Sequence, residues 1–67
     1  MIYYMLISRY SAKDYATAYA IAYEELYRQI EAEGYGPVLE SLEVAKETYG
    51  NSSGWLCSMK YNELVPD

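Results

Sequence analysis

The chain reads as an α+β domain of order β-α-β-β, a three-stranded antiparallel-type sheet with one long helix across one face. Three observations predict this. An apolar, β-branched opening segment precedes a helical stripe that begins at a serine and ends at a glycine, and a period-two segment follows a glycine-rich loop. With 67 residues there is room for a single domain, 1–67, and such a chain buries only roughly 60% of the surface its unfolded form exposes. A second copy or a partner would add to its stability.

Ile2 to Arg9 is rich in β-branched and aromatic residues and apolar on both alternating faces, the pattern of an interior strand covered on both sides. Ser11 stands three residues before Asp14, a capping-box spacing, with Tyr10 and Tyr15 at the staple positions. The helix is therefore expected over Ala12 to Glu33. On a helical wheel Tyr15, Ala16, Tyr19, Ala22, Tyr23, Leu26, Tyr27 and Ile30 make one connected stripe facing the sheet. Gly34 suits the left-handed residue after the helix, and Tyr35-Gly36-Pro37 prevents continuation.

Val38 to Tyr49 carries two periods. As a helix begun at Pro37 it would place Val38, Leu39, Leu42, Ala45 and Tyr49 together, opposite Glu40, Glu43 and Glu47; as a strand it sets Leu42 and Val44 against Glu43, Ala45 and Glu47. The strand is preferred because Gly50 to Gly54 looks like a hairpin loop, Trp55 to Tyr61 alternates with period two, and a sheet of two strands is marginal. A second helix at 37–49 is the alternative. A helix of 22 residues spans about 33 Å, against about 25 Å for strands of seven or eight residues. The helix should overhang its sheet, leaving Leu26, Tyr27 and Ile30 partly uncovered and inviting a homodimer or higher assembly.

Chemistry is argued by exclusion. Histidine is absent and Cys57 is the single cysteine, so the usual general base, the Ser-His and Cys-His pairs, a disulfide and a zinc site are all missing. Cys57 falls in the apolar set with Trp55, Met59 and Tyr61 and reads as structural. The four glycines lie in turns without a nucleotide-loop spacing. No catalytic residue, metal ligand or cofactor is assigned, and the chain is expected not to be an enzyme.

Ten acidic residues against five basic ones give a net charge of −5, which disfavours direct contact with nucleic acid or anionic membrane. The opening run is too short to cross a bilayer and lacks a basic n-region, so a cytoplasmic protein is expected. Carboxylates can instead steer toward a basic protein surface. The candidate partner-binding residues on the helix are Ile21, at the centre of the polar face, with Glu24 and Glu25. Beyond the helix they are Tyr35, Glu40, Glu43 and Glu47.

Ten tyrosines and no phenylalanine are the unusual feature. Tyr15, Tyr19, Tyr23 and Tyr27 form a slanted ridge, read first as packing against the sheet and second as recognition surface. The β-α-β-β layout resembles the dodecins, small oligomeric flavin carriers in which a tryptophan stacks on the flavin; here the one tryptophan, Trp55, falls on the third strand. In general character, short, acidic and without catalytic apparatus, the chain is also similar to phage-encoded inhibitors of the anti-CRISPR type. That resemblance implies a protein that blocks a host nucleic-acid-binding complex by occupying its basic surface, within the host cytoplasm.

Overall fold

The computed structural model describes residues 3–63. The elements run β1 (Tyr4–Tyr10), α1 (Tyr15–Ala32), β2 (Tyr35–Pro37), a 3₁₀ turn (Leu39–Ser41), β3 (Glu43–Tyr49) and β4 (Ser52–Glu63). The four strands form one antiparallel sheet with a helix on one face. Ile2, which the sequence places in the first strand, lies outside the described residues.

The central strand is β4, not β1. Its alternating residues give it one face for the helix and two edges to pair, β1 on one side and β2 followed by β3 on the other. Among the described residues only β4 pairs with β1, which is thus an edge strand covered on one face, contrary to the interior position its composition suggested. Cys57 and Met59 are fully buried beneath the helix, and the register sets Leu6 against Met59 and Val44 against Cys57. Met5, Ile7, Arg9, Glu43, Ala45, Glu47, Leu56, Ser58 and Lys60 therefore share the opposite, open face.

In α1 the cap is Asp14 rather than Ser11. Its carboxylate accepts from the Thr17 amide at 2.8 Å, in extended backbone, and the helix begins at Tyr15. The stop falls as expected, with Glu33 as C-cap and Gly34 at φ 84°. Between β1 and the cap, the Trp55 indole donates to the Ala12 carbonyl at 3.0 Å, holding residues that would otherwise extend the helix.

Of the stretch 38–49 only Glu43–Tyr49 is a strand, the 3₁₀ turn Leu39–Ser41 lies ahead of it within the stretch, and no second α-helix forms at 37–49. Tyr35-Gly36-Pro37, expected only to end the helix, also pairs with β4. Between β2 and β3 the register on β4 slips by three residues, the length of the 3₁₀ turn, so the two are one edge strand interrupted by an inserted turn. The Lys60 amide donates to the Ser41 hydroxyl at 2.8 Å, which supplies the acceptor that the looped-out backbone withdraws. The β3-β4 turn is tighter than Gly50 to Gly54: Tyr49 pairs with Ser52, and Gly50 at φ 59° takes the first central position of a two-residue hairpin.

Length relations reverse the expected overhang. Eighteen helical residues span about 27 Å, whereas the twelve of β4 span about 40 Å. The sheet outruns the helix in a molecule of 50 × 18 × 18 Å, and Leu26 and Ile30 are buried. Only Tyr27 remains half-buried, as the overhang would have left it.

Candidate functional site

The buried row of α1 is Ala18, Ala22, Leu26 and Ile30. Each of the tyrosines at 15, 19, 23 and 27 precedes one of these by three positions, so their ridge stands about 60° around the helix from the buried row. Tyr15 is 54% exposed, Tyr19 40% and Tyr23 39%. The expected stripe is therefore turned, and the reason is chemical. A fully buried phenol needs a hydrogen-bond partner, while alanine, leucine and isoleucine do not. Tyr10 shows the difficulty, since its buried hydroxyl finds no partner among the described residues.

The same rotation carries Ile21 and Glu25 toward the sheet, where both are half-buried, so Ile21 does not project from the centre of a polar face. Glu24 is exposed, and Glu25 accepts from Arg28. Tyr23 and Tyr27 stack with centroids 6.1 Å apart and planes 10° from parallel. With Glu24, Arg28, Glu31 and Ala32 they line a shallow concavity on the helix's outer surface. A hydrogen bond to Glu31 raises the Tyr27 hydroxyl above the ordinary tyrosine pKa.

Sequence reasoning named Glu24, weighed Tyr23 and Tyr27 only as a second reading of the tyrosine ridge, and did not name Glu31. The missed signal was the charge pattern at the helix ends. No basic residue occupies the last turn of α1, and none of the first turn is acidic. Glu31 and Glu33 stand instead beside the carbonyl end of the helix, where the macrodipole disfavours negative charge.

Tyr35 lies elsewhere, half-buried on β2 within a trio of rings: 5.1 Å from Tyr61 and 6.3 Å from Tyr4, which stacks on Tyr61 at 5.5 Å. Tyr4 also donates to Glu63, whose charge raises the Tyr4 pKa. Beside Tyr35 and Tyr61 a cleft of about 360 Å³ opens between the helix end and the sheet, with Leu6, Ile30, Gln29 and Glu33 around it. Glu40 is exposed in the 3₁₀ turn and Glu43 on the open face, while Glu47 pairs with Arg9 at 3.1 Å. That pair crosses β4 over Gly54, which stands opposite Glu47 and presents no side chain. The seven candidates thus divide among the helix, the ring cluster and the β3 edge and form no single cluster.

Cys57 is fully buried, and desolvation pushes its thiol above the usual cysteine pKa, the reverse of what a nucleophile needs. Among the described residues no group of three or more His, Cys, Asp or Glu gathers as a metal site. No helix there is long and apolar enough to cross a membrane. Comparison with protein-family models, with curated proteins and with solved structures gave no match.

Proposed function

We propose that this chain works by binding, as a small inhibitor that seats its acidic, tyrosine-lined helix surface on the basic surface of a nucleic-acid-binding complex, in the manner of the anti-CRISPR type, and that it does so as a homodimer or higher assembly. The observation that carries the reading is the pairing of exposed Tyr23 and half-buried Tyr27 with Glu24 and Glu31 beside a helix end whose charges oppose its own dipole. Arrangements that work against local stability concentrate at functional surfaces. Stacked phenols flanked by carboxylates suit an arginine or lysine, which gains both a ring face and a counter-charge. Glu40 and Glu43 extend the negative field on another side of the domain.

Affinity capture from a host lysate, followed by mass spectrometry, tests the reading. The expected prey is a basic nucleic-acid-binding protein, lost at about 0.5 M salt as the Debye length shrinks. Glu24→Lys combined with Glu31→Lys should weaken capture at least tenfold. A salt-insensitive interaction, or one untouched by these substitutions, would sink the proposal.

The second reading, a dodecin-like flavin carrier, draws on the strand order and on the cleft beside Tyr35 and Tyr61. Trp55 speaks against it. Its indole N–H is engaged with Ala12, its ring meets Tyr15 edge-on at 6.0 Å, and the Lys46 ammonium lies 5.9 Å from its centroid. The ring is committed inside the fold, so a yellow, large assembly on purification would be required to revive that reading.

A further inference from the structure

We propose that the outer edge of β1 is the self-association surface, pairing antiparallel with β1 of a second copy so that two sheets become one. This rests on the self-association part of the reading above and is independent of the basic partner. Among the described residues β1, Tyr4–Tyr10, pairs only with β4, so the alternate main-chain groups that face its other edge meet no neighbouring strand.

Among the described residues few of the devices that guard an edge are present: the strand has no proline, no lysine and no charge on its helix side, and its one charged residue, Arg9, stands near its end. Its flanks are apolar on both sides of the sheet. Tyr4 is 41% exposed on the helix side, and on the open face Met5 and Ile7 are 51% and 54% exposed. The rest of the open face is largely polar, with Ser58, Lys60, Glu43 and the Arg9–Glu47 pair, so the apolar surface concentrates at this edge and not across the whole face.

The strand is also complementary to itself. Antiparallel pairing about Ile7 sets Ile7 beside its own copy, Met5 beside Arg9, Leu6 beside Ser8 and Tyr4 beside Tyr10. On the open face apolar residues then meet an apolar residue or the Arg9 aliphatic stem, on the helix side Tyr4 meets Tyr10 and Leu6 meets the small Ser8, no like charges oppose, and both helices stay on the same side of the joined sheet. The single charged residue of the strand, Arg9, is already compensated by Glu47. The occupant is a second copy because the strand's own sequence supplies the match, through main-chain hydrogen bonds of the strand-addition type.

Sedimentation equilibrium between about 10 and 500 µM gives the direct test. Wild-type chain should dimerise, with an association that rising salt leaves unchanged or strengthens, because each copy carries −5. Ile7→Lys, which places two ammonium groups side by side, should weaken dimerisation at least tenfold, and Ile7→Thr, which keeps the strand preference, should weaken it less. Air oxidation of Ile7→Cys should yield a disulfide-linked dimer, whereas Ala45→Cys, on the opposite edge strand, should not. A monomer across the whole range would overturn both this pairing and the self-association reading. Dimerisation unchanged in Ile7→Lys, or equal cross-linking through Ala45→Cys, would overturn the β1 pairing alone and place the contact on another surface.

Discussion

Asp14 does the work that Ser11 was expected to do, and its carboxylate is held below the ordinary aspartate pKa by the hydrogen bonds from Thr17. A depressed pKa stabilises the fold above the unfolded value of about 3.9 and loses that contribution as pH falls through the lower folded value. Asp14→Ala should therefore lower the melting temperature by a few degrees at pH 7 and by nothing measurable near pH 2, read by circular dichroism. Tyr10→Phe should be neutral or stabilising by up to about 1 kcal/mol, since it removes a buried hydroxyl without a partner among the described residues. Leu26→Ala, at a fully buried position, should cost about 2–5 kcal/mol in urea denaturation. These residues were visible in the sequence, but their roles depended on neighbours from distant segments. Nothing local to Ser11 and Asp14 says that Trp55, 43 residues beyond Ala12, will tie the connection down.

The elements show the same division. The helix stop at Gly34 was legible because a positive φ is a local demand that glycine meets at no steric cost. The helix rotation was not, because alternating alanine and tyrosine rows have similar apolar character and only the sheet selects between them. At the helix end, Glu31→Lys and Glu33→Lys should each raise stability by about 0.3–1 kcal/mol by reversing charge at the negative pole, while weakening capture of a basic partner. A variant that gains stability and keeps its binding would separate the helix end from function. On the other edge, Ser41→Ala should cost about 1 kcal/mol, because the Lys60 amide loses the hydroxyl that bridges the inserted turn. Thermal unfolding measures it directly.

For the molecule as a whole, the single thiol is a probe of global opening. Cys57 sits in the cluster of Ala22, Leu26, Ile30 and Met59, packed by Leu6, Leu42, Val44 and Tyr61, so no small local motion exposes it. Its reaction with a disulfide reagent at pH 8 should be slowed at least 100-fold relative to the urea-unfolded chain and should track unfolding followed by circular dichroism. Fast native-state labelling would show that the helix lifts from the sheet independently.

Period-two alternation from Trp55 to Tyr61, the glycine stop, the missing histidine and the single cysteine were determined by the sequence itself, since each is a matter of local geometry or of inventory. The tertiary structure alone decided that β4 is central and β1 is an edge, that the 3₁₀ turn divides one edge strand into β2 and β3, and that the sheet outruns the helix. Strand order and helix rotation depend on which apolar surfaces find each other across many residues. That choice is made by summed burial and by the need to keep phenolic hydroxyls near water, neither of which is written in any one window of the chain.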